Sequence, residues 1–162
     1  MRFMNWIKAV TLVTVVAFGL AACDTVKPVS TYDSQISLDA PVTVVRGGDS
    51  FIFTTTLTYQ VDGEVLPLAN QEVEFLGEEF GLMGDTFKTD ENGIIELELV
   101  APMLPEREKE RDAWVRVHFG GSVIEFRELI GRFRDANNSR YFNIKQRAPG
   151  LNNPGIPGSE LN

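Results

Sequence analysis

The segment "FIFTTTLTY", residues 51–59, alternates strictly between two sets of side chains. Successive side chains of an extended chain point to opposite faces, so alternation with a period of two predicts a β-strand with one buried face. Ile52 and three threonines fall on the second face. The first face carries the large apolar groups and one threonine: Phe51, Phe53, Thr55, Leu57 and Tyr59.

The same alternation recurs on both sides of this segment. It is present in "EVEFL" (72–76), "IIELELV" (94–100) and "WVRVHF" (114–119). The first two of these place glutamates on the face opposite the apolar side chains, which is typical of an antiparallel sheet with one face in water. Further short apolar runs, "PVTVV" (41–45) and "VIEF" (123–126), bring the total to about seven strands.

Turn residues separate these strands. They occur in "RGGD" (46–49), "VDGE" (61–64), "DENG" (90–93) and "FGGS" (119–122), and each contains the Gly or Asx residues that tight turns require. About seven short strands with such turns predict an all-β antiparallel sandwich. We expect this domain to cover residues 36–145.

The succession of these turns and strands over residues 40–122 resembles the bacterial immunoglobulin-like domains of invasin and intimin adhesins. The matching positions are Gly48, Asp49, Pro67, Leu68, Val73, Phe75, Thr89, Asp90 and Gly93. The resemblance implies an immunoglobulin-like β-sandwich and a role in protein–protein interaction. Those adhesins carry many such domains on an outer-membrane barrel, whereas this chain has room for one.

The sequence after residue 127 predicts two further features. "ELIGRFRDANNSRYFNIKQR" (128–147) is typical of an extra C-terminal hairpin with its turn at 135–139. The last fifteen residues, "APGLNNPGIPGSELN", contain three prolines and three glycines. We therefore expect a flexible tail over residues 146–162.

The N-terminus has the layout of an export signal. Arg2 and Lys8 precede fourteen uncharged residues, 9–22, which are too few to cross a bilayer comfortably, since roughly 20 apolar residues are needed. Residues 20–23, "LAAC", resemble the lipobox of bacterial lipoproteins. The resemblance implies cleavage of the signal peptide, residues 1–22, and acylation of Cys23, the only cysteine in the chain.

Lipidation of Cys23 implies a membrane anchor at the bacterial cell envelope, with the domain on the periplasmic side. Residues 23–35, the lipidated cysteine and a polar segment with one proline, read as a tether. Asp24 resembles the signal that retains enterobacterial lipoproteins in the inner membrane. Whether the anchor is in the inner or the outer membrane stays open.

The composition argues against nucleic acid as a partner. The formal net charge is -8, and no dense run of lysine and arginine is present to bind phosphates. We expect an envelope protein as the partner instead, together with the membrane itself.

Groups suited to catalysis are few. The only histidine, His118, lies on the polar side of a predicted strand, and no nucleophile motif accompanies it. Glu78 and Glu79 are adjacent in a loop and diverge, unlike a glycosidase pair. Asp90 and Asn92 belong to a turn that lacks the rest of a calcium loop. We predict no enzyme activity, no metal and no cofactor.

Trp114 leaves two interpretations open. Alternation places it outward, where it would form a platform for a ligand, but tryptophan is also a common core residue of sandwiches. The leading hypothesis is a non-catalytic, lipid-anchored module for protein–protein interaction. The alternative is a carbohydrate- or ligand-binding sandwich that uses Trp114. A hydrolase that depends on His118 or on Glu78 and Glu79 ranks third.

Overall fold

The computed structural model describes residues 26–148, all of which lie in strands, turns and one short 3₁₀ segment, Glu78–Phe80. The predicted signal peptide, Cys23, Asp24 and the chain beyond residue 148 lie outside the described residues. The strands are β1 (Val29–Tyr32), β2 (Ser34–Asp39), β3 (Val44–Arg46), β4 (Ser50–Val61), β5 (Glu64–Pro67), β6 (Glu72–Gly77), β7 (Leu82–Lys88), β8 (Ile94–Val100), β9 (Glu110–Phe119), β10 (Ser122–Glu125), β11 (Ile130–Phe133) and β12 (Ala136–Lys145).

Two sheets form the sandwich. The first has β4 at its centre, with β2 along one side and both β8 and β5 along the other. The second has the order β3-β12-β9-β6-β7. Strands β2 and β3 are consecutive in the chain but belong to different sheets. Each forms an edge strand of its sheet. All strand pairs in these two sheets are antiparallel except that of β3 with β12, which is parallel. This arrangement confirms the predicted immunoglobulin-like all-β fold.

The core consists of the inward faces that the alternation predicts. Phe53 and Leu57 on β4, Val73 on β6 and Val117 on β9 are fully buried. Burying side chains of this size contributes roughly 1.5–3 kcal/mol each. Because every second residue of these strands is apolar, one continuous cluster fills the space between the sheets.

A third, small sheet has the order β1-β11-β10. Strand β1 pairs in parallel with β11, and β10 pairs with β11 as a hairpin. Three aromatic rings join this sheet to the sandwich: Tyr32 lies 5.3 Å from Phe133 and 5.5 Å from Tyr59, and the Tyr59 and Phe133 centroids are 5.0 Å apart. The small sheet therefore packs against the end of β4.

The small sheet corrects the prediction of a tether over residues 23–35. Val29–Tyr32 and the start of β2 are strands that pair with the domain, because their backbone groups find partners in β11 and β4. The backbone N–H of Ile130 also donates to the carbonyl oxygen of Pro28 at 2.9 Å. The first strand thus begins at Val29, seven residues before the expected start of the domain at residue 36.

The predicted turn at 135–139 is also wrong. Strand β12 begins at Ala136 and pairs along its whole length with β9, so it completes the five-stranded sheet rather than returning to β11. The extra hairpin of the C-terminal part is β10–β11, whose connection is residues 126–129. Phe142 and Ile144 of β12 are buried in the main core.

The start of the predicted tail is held by the domain. The backbone N–H of Gln146 donates to the carbonyl oxygen of Lys109 at 2.8 Å, and its side-chain amide donates to the carbonyl oxygen of Glu106 at 3.1 Å. The guanidinium of Arg147 donates to Asp49 at 3.0 Å. The ordered domain therefore extends at least two residues past the predicted boundary at 145.

In the "TDENG" segment (89–93), each residue that matches the invasin and intimin pattern has a structural role. The hydroxyl of Thr89, which is buried, donates to the carbonyl oxygen of Leu68 at 2.8 Å. Asp90 Oδ1 accepts from the backbone N–H groups of Asn92 and Ile94, both at 2.8 Å. Gly93 has φ +74, and a Cβ there would lie 2.4 Å from the Leu57 carbonyl oxygen. This turn fixes β8 against β4.

We predict that Gly93→Ala destabilises the domain by more than about 3 kcal/mol, because a left-handed backbone conformation and a clash with backbone atoms add together. Urea unfolding measures the change. The matched control is Gly63→Ala, which has φ +85 but nothing within 4 Å of the added carbon. The control should cost only about 1 kcal/mol. Equal costs at the two positions would contradict this account.

Candidate functional site

The outer face of the five-stranded sheet carries two aromatic side chains next to each other. Trp114 on β9 and Tyr141 on β12 are direct cross-strand partners. Their neighbours in sequence, Ala113, Val115 and Phe142, are buried. Because side chains alternate across the sheet, both rings must point away from the core. The structure thus decides the orientation of Trp114 in favour of the exposed interpretation.

The two rings differ in how much of them meets solvent. Tyr141 is 71% exposed, whereas Trp114 is 37% exposed. Part of the difference comes from Arg116, two residues along β9, whose guanidinium carbon lies 5.1 Å from the centroid of the Trp114 ring. A cation over an aromatic face is attracted by the ring's quadrupole. This contact holds Arg116 beside the indole.

Apolar side chains continue this surface across the sheet. Arg116 is the cross-strand partner of Leu76 on β6, and Leu76 is in turn the partner of Met83 on the edge strand β7. Met83 is 73% exposed. Trp114, Tyr141, Arg116, Leu76 and Met83 therefore form one surface, here called the aromatic patch.

Polar residues border the aromatic patch on both sides along the strands. On one side, the amide of Asn143 donates to Asp112 Oδ1 at 3.0 Å. On the other side, His118 lies in register with Asn137 and Glu74. An apolar centre with a polar border is the arrangement that protein-binding surfaces share.

His118 is half-buried in this border row, apart from Glu78 and Glu79, the alternative candidates for catalysis. Register places it beside Glu74 and Asn137, whereas Glu78 and Glu79 belong to the 3₁₀ segment at the other end of β6. The structure therefore does not bring His118, Glu78 and Glu79 together.

Glu79 has a structural partner. The guanidinium of Arg111 donates to Glu79 at 3.0 Å and makes two further hydrogen bonds to Glu108, at 2.8 and 2.5 Å. Glu108 belongs to the charged connector between β8 and β9. Arg111 therefore ties this connector and the 3₁₀ segment to the start of β9. Hydrogen bonding from Arg111 lowers the pKa of Glu108, and hydrogen bonds from Glu108 and then Glu79 raise the pKa of Arg111.

Asp90 is committed to its turn through the two backbone hydrogen bonds described above, which leaves Oδ1 occupied. Within residues 26–148, no group of three or more His, Cys, Asp or Glu side chains is arranged to hold a metal ion. No helix in the same range has the length and apolar character needed to cross a bilayer.

Tyr141 was missed as a site residue by the sequence reasoning. Its segment, "RYFNIK" (140–145), alternates like the other strands, with Phe142 and Ile144 on one side. Treating it as half of a separate hairpin hid its pairing with Trp114. The alternation alone could have placed Tyr141 outward, but pairing between β9 and β12 is a tertiary contact.

Comparison with known proteins adds one structure. No family model and no curated protein matches the chain. Among solved structures, the chain is similar to the D0-D1 domain of Intimin, with 20% sequence identity and a TM-score of 0.40. The match covers 65% of this chain and 46% of that chain, so the chain spans less than half the length of that fragment.

We predict that Arg111→Gln makes the stability of the domain less dependent on pH in the acidic range. A carboxyl whose pKa is lowered by folding stabilises the folded state above its unfolded pKa, near 4.5 for Glu108. That contribution disappears as pH falls through the lowered value. Thermal unfolding between about pH 6 and pH 3 should show the wild type and the variant converging at the acidic end.

Lys27→Gln provides a second, independent test of the same effect. Lys27 Nζ donates to Glu125 at 2.5 Å and lowers the pKa of that carboxyl in the same direction, but the pair belongs to the small sheet. Curves for the wild type and Arg111→Gln that stay parallel down to the acidic end would show that Glu108 gains nothing from Arg111.

Proposed function

We propose that this protein is a non-catalytic, lipid-anchored module of the bacterial cell envelope that binds another protein through the aromatic patch. The observation that carries the proposal is the exposure of Trp114 and Tyr141 side by side on a rigid sheet. Exposed aromatic rings cost hydration free energy in the free protein, and covering them on binding recovers it.

The composition of the aromatic patch favours a protein over a sugar. Tryptophan, tyrosine and arginine are the residues that most often dominate protein–protein binding energies. Arg116 already lies over the Trp114 ring, so a sugar would have to displace the guanidinium before it could stack there. The partner that fits is an apolar protein surface with a carboxylate facing Arg116.

A sugar ligand is the second candidate function. Trp114 points outward, as a stacking platform requires, and Asp112 and Asn143 offer hydrogen-bonding groups beside the two rings. The invasin and intimin adhesins that the sequence resembles supply the expectation of a binding role, and neither candidate needs a catalytic group.

The anchor we propose is acylated Cys23. Strand β1 begins at Val29, so five residues, 24–28, lie between the anchor and the first strand, and the six Cα–Cα steps reach at most about 20 Å. Acyl chains contribute about 0.8 kcal/mol per buried methylene, and two or more chains on one residue give a stable anchor. The domain would then be held within a short distance of the bilayer surface, on the periplasmic side.

We expect Cys23→Ser to release the protein from membranes, because serine provides no thiol for acylation. Fractionation of cells and extraction with carbonate measure the release. Asp24→Ser serves as the control, since it leaves the thiol intact and should keep the protein in the membrane fraction. A Cys23→Ser protein that stays in the membrane fraction would overturn the anchor.

The aromatic patch is tested by photo-cross-linking in native membranes. A photoreactive phenylalanine analogue at position 141 should give a discrete adduct with one protein. Trp114→Ala should reduce that adduct about tenfold or more, the loss typical of an interface hot spot. The same analogue at Gln60, exposed on β4 in the other sheet, should give no such adduct.

The fold of the Trp114→Ala variant must be checked alongside. Because Trp114 is on the outer face, we expect its unfolding free energy to change by less than about 1 kcal/mol, whereas Val115→Ala should cost about 2 kcal/mol. An adduct that persists in Trp114→Ala would reject the aromatic patch. If the wild type gives no protein adduct but binds a glycan array, and Trp114→Ala loses that binding, the ligand is a sugar instead.

A further inference from the structure

Strand β8 forms a free edge of the four-stranded sheet. In the part of the chain that the structure describes, β8 pairs with β4 alone, and no strand pairs with its other side. Seven residues, Ile94–Val100, pair with β4 in unbroken register. A long regular edge is a template for another extended chain, and proteins commonly protect such edges with bulges, prolines or covering segments.

The hydrogen bonds at both ends of β8 show which backbone groups face this edge. The N–H of Leu57 donates to the Gly93 carbonyl oxygen at 2.8 Å, and the N–H of Ala101 donates to the Asp49 carbonyl oxygen at 2.9 Å. Hydrogen-bonded pairs alternate along an antiparallel ladder, so the odd-numbered residues of β8 bond to β4. The even-numbered residues therefore point their N–H and C=O groups away from β4.

The first of these even-numbered residues is already satisfied. Ile94 donates to Asp90 Oδ1, and its carbonyl oxygen accepts from the Asp90 N–H at 2.9 Å. The remaining groups belong to Glu96, Glu98 and Val100. For these three, the backbone hydrogen bonds of residues 26–148 provide no partner. Three donors and three acceptors thus line the free edge.

A groove lined by apolar and charged side chains lies beside the first half of this edge, residues 94–97. It has a volume of about 450 Å³ and runs between β8 and the edge strand of the opposite sheet, β7. Its apolar floor is Phe87 on β7 with Ile95 and Leu97 on β8, and Phe87 and Leu97 are only partly buried. Lys88, Asp90 and Glu96 border it. A chain paired with β8 would place its inward side chains beside Ile95 and Leu97 over this groove.

The neighbouring edge, β7, is protected in a way that β8 is not. Gly84 at φ +95 is an extra residue that shifts the register between β6 and β7. The side chain of Asp85 also accepts from the N–H of Met83 at 3.0 Å. The two edges border the same groove, but only β8 presents a regular ladder.

The side chains on the outer face of β8 determine which kind of strand can pair with this edge. Glu96 and Glu98 are both exposed there. If two copies of the protein paired through β8 as antiparallel strands centred on Leu97, Glu96 of each copy would face Glu98 of the other. Like charges directly opposite destabilise a strand pair, so the edge is unsuited to self-association. The same two carboxylates attract lysine or arginine.

The C-terminal segment of the chain is also unsuited to this edge by its sequence. It follows Arg147, whose side chain bonds to Asp49 near the end of β8. Its prolines at 154 and 157 are three positions apart, so they would point to opposite edges of a strand. In a strand, one of the two would face β8 without an N–H to donate. The segment carries no lysine or arginine to match Glu96 and Glu98.

We propose that β8 accepts an extended segment of a partner protein as an added strand, and that the segment alternates apolar residues with lysine or arginine. The apolar side chains fill the groove over Phe87 and Leu97, and the basic side chains face Glu96 and Glu98. Backbone hydrogen bonds form at Glu96, Glu98 and Val100. This recognition mode takes affinity from the main chain and specificity from alternate side chains.

The test is residue-resolved amide hydrogen exchange on the full chain in detergent micelles. In the free protein, the amides of Ile95, Leu97 and Leu99 should exchange slowly and those of Glu96, Glu98 and Val100 rapidly. A nine-residue peptide that alternates Val and Lys should slow the three rapid amides. A peptide that alternates Val and Glu should bind at least about tenfold more weakly, because its charges face Glu96 and Glu98.

Variants at Glu98 distinguish the contribution of the backbone hydrogen bond to peptide binding from that of the carboxylate charge. Glu98→Pro removes a donor that faces the free edge and leaves the β4 ladder intact, so the Val/Lys peptide should bind about tenfold more weakly. Glu98→Gln removes only the charge and should weaken binding about threefold. Glu64→Lys, at an exposed position on β5 of the same sheet, is the control and should bind like the wild type.

Folding is monitored by the amides of Leu97 and Leu99, which must stay protected in every variant. Equal binding of the Val/Lys and Val/Glu peptides, or binding without protection at Glu96, Glu98 and Val100, would overturn the proposal. Rapid exchange of these three amides only after truncation at Ala148 would assign the edge to the chain's own C-terminal segment instead.

This inference shares with the proposed function the premise that the domain binds protein, but it uses a different surface. The two are separable in native membranes. If no peptide binds at β8, the adduct from position 141 should still form. If Trp114→Ala abolishes that adduct, peptide binding at β8 should be unchanged.

Discussion

The packing of Phe142 against three other phenylalanines joins the two sheets of this domain. Its ring centroid lies 5.2 Å from that of Phe51, 6.2 Å from that of Phe53 and 5.3 Å from that of Phe80. Phe51 and Phe53 belong to the central strand of one sheet, and Phe142 belongs to the last strand of the other. The contact therefore forms only when β12 has closed the five-stranded sheet. Because β12 is next to β9, the same closure brings Tyr141 beside Trp114.

Alternation on β9 and β12 thus places one set of side chains in the core and the other set on the surface. The inward residues of β9 and β12, such as Val115 and Phe142, hold the strands in one register, and the outward residues between them are placed by that register rather than by contacts of their own. A binding surface of this kind is rigid before any partner arrives, so little ordering entropy is lost on binding. Flat sheets suit a broad protein contact better than they suit an enclosed ligand site.

The small sheet changes how the domain relates to its proposed anchor. Parallel pairing of β1 with β11 places the start of the folded chain beside the β10–β11 connection, where Lys27 donates to the Phe126 carbonyl oxygen at 3.0 Å. The hairpin and the start of the described chain, residues 26–28, are therefore next to each other. Two of the carboxylates considered for a site have structural partners: Glu79 accepts from Arg111, and Asp90 accepts from backbone N–H groups of its own turn.

The two faces of each strand follow from local sequence. Side chains alternate with the chain's own geometry, so the inward residues of β4, β6, β8 and β9 and the turns at Asp90 and Gly93 follow from local pattern, whereas the outward orientation of Trp114 needed the fold. The tertiary structure decided the partners. Strand pairing depends on backbone groups far apart in sequence, which is why only the fold shows that β1 is a strand, that β12 pairs with β9 rather than β11, and that β8 keeps one edge free.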